Sequence, residues 1–254
     1  MSKTRLPRQI VVGDVHGHYD GLMQLLDLVA PDGADKVYFL GDLIDRGTQS
    51  AQVVEFVRKN GYPCIRGNHE QMLLDAFPGQ KVAIPALQAW LYNGGHTTYE
   101  SYGSHITLLL DHLEWLRDLP LYLDLGDIWL VHAGVDPRLP ISVQTSEEFC
   151  WIREDFHGIT EPYFPDKTII VGHTITLTIP GVGVGQLARG QGWIGIDTGA
   201  YHPRSGWLTA LDTTDWLVYQ INVNDRLTRV LPLSEAAVDI DPERMKSRRQ
   251  LISA

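Results

Sequence analysis

Short apolar, β-branched runs alternate with helically spaced leucines and valines, and each run closes on a glycine-flanked polar residue. No other feature restricts the fold of this chain as much. Gln9-Ile10-Val11-Val12 reads as a buried strand, and Leu22, Leu25, Leu26 and Val29 then recur at helical spacing. Asp20 is placed to cap that helix, and Pro31-Asp32-Gly33 breaks it before a second strand, Val37 to Leu40. The unit repeats. Thr48 or Ser50 can cap a helix carrying Val53, Val54 and Val57, Gly61 stops it, and Cys64-Ile65 opens a third strand. Such alternation specifies a sheet with helices on its faces.

From Glu70 to about Leu119 the apolar spacing is helical, punctuated by Pro78-Gly79, Pro85 and Asn93-Gly94-Gly95, which predicts a helical insert. Beyond Pro120 the pattern turns to strands: Leu121–Leu125, Ile128–Val131, Thr168–Val171, Trp193–Ile196, Leu208–Leu211 and Leu217–Ile221, enough for a second sheet. The run Gly181-Val182-Gly183-Val184-Gly185 lacks the Lys-Ser/Thr ending and following helix of a phosphate loop, and reads as a hairpin or mobile loop. The fold class expected is α/β (α+β), with one catalytic domain over residues 1–235 and a polar tail over 236–254.

Lys and Arg number 21 against 31 Asp and Glu, a formal charge of −10 that repels polyanions, so nucleic acid is not an expected partner. Cys64 and Cys150 are the only cysteines, which argues against a disulfide framework or a thiolate zinc site and fits a reducing cytoplasm. The basic start MSKTRLPRQ leads into no apolar signal region, and no apolar run is long enough to span a bilayer. A soluble, unexported monomer is expected.

Three motifs stand where the first three strands end: Gly13-Asp14-Val15-His16-Gly17, Gly41-Asp42-Leu43-Ile44-Asp45-Arg46-Gly47 and Gly67-Asn68-His69-Glu70. His132 and His173 follow later apolar runs in the same way. Loops at the carboxyl ends of strands converge on one crevice. Any one of these residues alone is an ordinary cap, turn former or core residue; five strand ends in order mark a site. Hard oxygen donors mixed with imidazoles suit a pair of divalent first-row metal ions better than a thiolate site or a calcium cage. Asp14, His16 and Asp42 can hold one ion, and Asp42, Asn68, His132 and His173 the other, with Asp42 bridging.

These motifs, GDVHG, GDLIDRG, RGNHEQM, the His132-Ala133-Gly134 strand end and VGHT, resemble the signatures of the PPP phosphoprotein phosphatases over roughly Ile10 to Leu211. Asn93-Gly94-Gly95 and Trp151-Ile152-Arg153-Glu154 are similar to the bacterial and bacteriophage lambda branch of that family of calcineurin-like metallophosphoesterases. The resemblance implies a central β-sandwich flanked by helices and two divalent ions, manganese first, with iron and zinc as the other candidates. It implies hydrolysis of phosphoserine and phosphothreonine monoesters, and sometimes phosphotyrosine, by direct attack of a metal-bridging hydroxide, with a phosphoprotein or phosphopeptide as partner. It makes Asp14, His16, Asp42, Asn68, His132 and His173 metal ligands, His69 and Asp45 the catalytic acid dyad, and Arg46 and Arg153, with Asn68, the binders of substrate phosphate. His18, His96, His105, His112, His157 and His202 match no ligand position and read as surface or packing residues, His18 being the one near enough to touch the cleft. Where the eukaryotic enzymes carry a Tyr-Cys pair, this chain has Tyr201-His202, which weakens any expectation of eukaryotic inhibitor sensitivity. Two other readings compete. Symmetrical diadenosine tetraphosphate hydrolases share the ligands but resemble GNHD where this chain has GNHE, and a dead phosphate-binding scaffold would have lost a ligand or the dyad.

Overall fold

The computed structural model describes residues 6–79 and 81–245. β1 (Gln9–Val12) and β2 (Lys36–Phe39) pair in parallel, which requires a crossover, and α1 (Tyr19–Val29) supplies it. α2 (Ser50–Lys59) follows, then an insert of α3 (Asn68–Ala76), α4 (Ile84–Trp90), α5 (His96–Tyr102) and α6 (Ile106–Arg117). The second half runs β3 (Tyr122–Asp124), β4 (Ile128–Val131), α7 (Ser146–Trp151), α8 (Glu154–His157), β5 (Thr168–Val171), β6 (Leu187–Gly190) and β7 (Trp193–Gly195). It finishes with β8 (Trp207–Asp212), β9 (Leu217–Asn222), β10 (Thr228–Pro232), α9 (Leu233–Ala236) and β11 (Ala237–Asp239).

The strands form two mixed sheets, ordered β10-β9-β8-β1-β2 and β11-β6-β7-β5-β4-β3. The two-residue side-chain period of a strand decides what fills each layer. Val11 joins Leu130, Ile170 and Ile194 in a core between the sheets, while its neighbours Ile10 and Val12 face outward and bury Leu22, Leu25 and Val54 of the flanking helices. On the second sheet Leu130 points inward, and Trp129 and Val131 point out against Phe149 and Phe156. Each fully buried side chain of this size contributes about 1.5–3 kcal/mol. The mixed α/β sandwich with helices on its outer faces and a helical insert is the architecture expected.

The structure corrects several local expectations. Asp20 does not cap α1; the cap position is His18, two residues earlier, and Asp20 lies in the first turn, where its charge complements the helix dipole. Ser50 is the first residue of α2, and its hydroxyl accepts the Asp45 N–H instead of capping. The third strand shrinks to a single bridge between Cys64 and Phe39. β6, β10 and β11 carry no clear sequence signal, being short edge or near-edge strands with polar interruptions such as Arg189 and Arg229. The tail expected from residue 236 is in part structure: β11 pairs with β6, Arg189 pairs with Asp239, and Ile240 and Met245 are buried in the core under α7 and α8. Residues 246–254 of that tail lie outside the described residues. The glycine run is a turn, with Val182 buried and the Gly185 carbonyl accepting from Gln220 and Arg229.

β1 and β2 run parallel to each other, as do β4, β5 and β7. Just past their C-terminal ends come Asp14, Asp42, His132, His173 and Asp197, so the fold delivers five polar side chains to one edge of the sandwich. No helix among the described residues is long and apolar enough to cross a membrane.

Candidate metal centre

Backbone strain marks the site before any side chain is considered. Eight described non-glycine residues have positive φ, and five of them are His16 (46°), Asp42 (47°), Asp45 (71°), Arg46 (71°) and His173 (63°). Such conformations cost about 1–3 kcal/mol each and persist only where the surroundings over-determine them.

His16 places Nδ1 2.9 Å from the Ile44 carbonyl, and His132 places Nδ1 2.8 Å from the Leu40 carbonyl. A carbonyl only accepts, so both imidazoles carry their proton on Nδ1 and turn the Nε2 lone pair to the cleft. These Nε2 atoms stand 3.5 Å and 3.4 Å from opposite oxygens of Asp42. The Asn68 amide oxygen lies 2.9 Å from His132 Nε2 and 2.8 Å from His173 Nδ1. Asp14 accepts the His173 N–H at 2.9 Å through Oδ2, while its buried Oδ1 has no hydrogen-bond partner. A Cβ on Gly172 would collide with that carboxylate, which is why the turn before His173 is glycine.

The electrostatics fit a cation. Burial holds His16 down at about 3 and also lowers His132 and His173, so the three imidazoles are neutral, the form that ligates a metal. Burial, together with the charges of Asp197 and Asp42, raises Asp14 well above the carboxylate range. Burial pushes Asp197 up to about 7. Lone pairs and carboxylates converging without a positive charge among them are the donor set that divalent ions satisfy. Asp14, Asp42 and His132 bring ligand atoms within 4.8 Å of one another, and so do His16, Asp42 and His69. Asp42 belongs to both groups, as a bridge would. Asp14 shares its group with His132, and its Oδ2 is also held by the His173 backbone N–H.

His69 sits beside this cluster with Nδ1 2.6 Å from Asp45 Oδ2, leaving Nε2 as the nitrogen available to a substrate. Burial disfavours its charged form, but the Asp42 and Asp45 carboxylates outweigh burial and raise its pKa. Arg46 lies over the Tyr201 ring at 5.0 Å, and Arg153 reaches Thr174 Oγ1 at 2.9 Å and borders the cleft. The cleft encloses about 150 Å³, with Arg46, His69, Arg153 and Tyr201 on its walls. All ten site residues read from the sequence are thus brought together. His18 is not among them; it lines a separate hollow with Arg226. His112 and His157 are buried packing residues, and His96 and His105 are exposed.

A calcineurin-like phosphoesterase family model matches residues 7–194. The chain belongs to that family. The chain is 34% identical over 116 residues to serine/threonine-protein phosphatase 1 of Salmonella typhimurium, covering 43% of this chain and 51% of that protein. It is 36% identical over 137 residues to a symmetrical bis(5'-nucleosyl)-tetraphosphatase of Actinobacillus succinogenes, covering 50% and 44%. The chain therefore spans about half the length of the curated relatives it matches. Among solved structures, one described as "a putative diadenosine tetraphosphatase" shares the fold with a TM-score of 0.60 at 20% identity, over 90% of this chain and 95% of that one.

The site also contains residues outside the ten expected from the sequence. Asp197 is buried on the cleft wall, although Ile196-Asp197-Thr198-Gly199 carries the same signal as the other motifs, a polar residue at a strand end beside glycine. Glu70 accepts the backbone N–H groups of Asp42, Leu43 and Gly67 at 2.8, 2.8 and 2.9 Å, tying the second motif to the third. Gly94 explains Asn93-Gly94-Gly95: at φ 109° its carbonyl accepts the Arg46 N–H at 3.3 Å, and a Cβ would stand 2.7 Å from Arg46 Cδ. Gly94→Ala is therefore expected to destabilise the fold by about 1–3 kcal/mol and to raise KM as Arg46 is displaced. Denaturation midpoints and steady-state kinetics on one preparation check this; an unchanged KM would show that Arg46 does not depend on the Gly94 contact.

Proposed function

We propose that this phosphoesterase is a phosphoprotein phosphatase, hydrolysing phosphoserine and phosphothreonine monoesters, and phosphotyrosine as well, on protein or peptide substrates. The observation that carries this reading is the His69–Asp45 pair. A serine or threonine alkoxide is a poor leaving group and needs a proton as the P–O bond breaks, whereas a nucleotide leaving from an anhydride does not. A buried histidine held at 2.6 Å by a carboxylate, with its other nitrogen free at the cleft, supplies that proton.

Asp14, His16, Asp42, Asn68, His132 and His173 would hold two divalent ions, manganese first as the family resemblance implies, with iron and zinc as alternatives; the mixed oxygen and nitrogen donors suit divalent first-row metals. When bound, such ions supply Lewis-acid charge at the phosphoryl oxygens and lower the pKa of the attacking water. The chain does the rest. Arg46 and Arg153 present planar donors to the phosphate oxygens, Asn68 adds an amide at the same wall, His69 donates its Nε2 proton to the departing alkoxide, and Asp45 fixes the ring. With a net charge of −10 the chain is an unsuitable partner for nucleic acid.

The second reading, a symmetrical dinucleoside tetraphosphate hydrolase, is favoured by the relatives of that description at 33–36% identity. Hydrolysis of a phosphoserine peptide and of diadenosine tetraphosphate by one preparation separates the two. The monoester is expected to have the higher kcat/KM. A tenfold preference for the dinucleotide, about 1.4 kcal/mol of transition-state discrimination, would replace the phosphatase reading and leave the metal centre standing.

A further inference from the structure

The Asp45 carboxylate receives far more than the histidine needs. Trp90 Nε1, from the end of α4, donates to both of its oxygens at 3.0 and 3.1 Å. Thr98 Oγ1, from α5, donates to Oδ1 at 2.6 Å and accepts the Asp45 N–H at 2.8 Å. Ser50 Oγ also accepts that N–H, at 3.1 Å, and is itself bonded to Thr98 at 2.9 Å. All four residues are buried, with Asp45, Ser50 and Thr98 fully enclosed. Asp45 and Arg46 are consecutive non-glycine residues at φ 71°, a conformation the chain does not hold unaided. The same insert fixes Arg46 through the Gly94 carbonyl, and Gly95 lies so close under Trp90 that a Cβ there would strike the indole.

We propose that Trp90 and Thr98 are positioning residues for leaving-group protonation, and that the helical insert exists in this chain to hold the Asp45 carboxylate, and through it the His69 ring, in register with the cleft. Every donor direction open to the Asp45 carboxylate is filled: Oδ2 by His69 and Trp90, Oδ1 by Thr98 and Trp90. A carboxylate bound this way has one orientation, so the imidazole it holds has one orientation. Neither Trp90 nor Thr98 touches a metal-ligating side chain through any of these bonds, so their loss should spare the ions and the attacking water while the proton arrives out of line. Displacements of this kind, well away from the reacting atoms, cost ~10- to 100-fold.

This inference rests on His69 being the general acid, and the experiment keeps the two apart. Thr98→Val, Trp90→Phe and Thr98→Ser are assayed on a phosphoserine peptide and on p-nitrophenyl phosphate, with bound metal and melting temperature recorded for each and His69→Asn run alongside. Thr98→Val and Trp90→Phe are expected to lose ~10- to 100-fold in kcat on the peptide but less than about threefold on p-nitrophenyl phosphate, whose leaving group needs little proton assistance. Thr98→Ser, which keeps the hydroxyl, should recover most of the peptide activity. In a His69→Asn background Thr98→Val should cost nothing more, because residues acting through one group are not additive. Equal losses on the two substrates, loss of metal, or a Thr98→Ser as poor as Thr98→Val would overturn the proposal. If Thr98→Val does not fold, Trp90→Phe alone decides by the same ratio. A His69→Asn variant that loses equally on both substrates would instead remove the acid assignment on which the proposal stands.

Discussion

Asp42→Asn is expected to yield a folded protein with no measurable turnover and no bound metal. The substitution keeps the side chain's size and its acceptance of the His69 N–H, 3.0 Å from Oδ1, so the loop is not released. What it removes is the charge lying between His16 Nε2 at 3.5 Å and His132 Nε2 at 3.4 Å, the one carboxylate common to both ligand groups. Because a bridge serves both ions, its loss should empty both positions together, whereas Asp14→Asn should empty one preferentially. Elemental analysis of the purified proteins reads this directly. Thermal melts give an independent measure: an ion binding only the native state at a hundred times its Kd stabilises by about 2.7 kcal/mol, so manganese should raise the melting temperature of the wild type and leave that of Asp42→Asn unmoved. Full metal occupancy in Asp42→Asn would end the assignment of Asp42 as the bridge.

How far the site could be read from the chain depended on where each residue's partners lie. The ligands were legible because a strand has to stop where it delivers them, and the stop is written locally, as Gly13-Asp14, Gly41-Asp42 and Gly172-His173. Asp197 has the same local writing after the Trp193–Ile196 run, but without a histidine beside it to set it apart from an ordinary strand end. Trp90 and Thr98 could not be found this way. They stand 45 and 53 residues from Asp45, and nothing around an indole on an amphipathic helix says that its N–H ends on a catalytic carboxylate. The fold divides along the same line. Val11 and Leu130 alternate with their neighbours and announce both faces of their strands, while β11 is only three residues long and forms where β6 offers it an edge. Ser50 departs from the sequence pattern for the opposite reason: a serine opening a helix is by default its cap, and here the strained backbone of Asp45 claims the hydroxyl.

His69→Asn should lower kcat by ~10²- to 10⁴-fold on a phosphoserine peptide, the usual worth of a general acid, while both ions stay bound. Geometry alone gives His69 two roles, because one of its nitrogens falls within the ligand group of His16 and Asp42 while Nδ1 is fixed on Asp45 at 2.6 Å. A ligand and an acid predict different outcomes. If His69 ligates, its removal depletes metal, and the loss is the same whatever departs from phosphorus. If it protonates the leaving group, metal content is unchanged and the loss shrinks on p-nitrophenyl phosphate, whose phenolate leaves without much help. Asp45→Asn refines the comparison, since an amide oxygen still accepts the Nδ1 proton but no longer favours the imidazolium. Its defect should follow the same leaving-group dependence at smaller size. Metal depletion in His69→Asn, or equal losses on the two substrates, would move His69 into the ligand set and remove the proton donor assigned to the departing alkoxide.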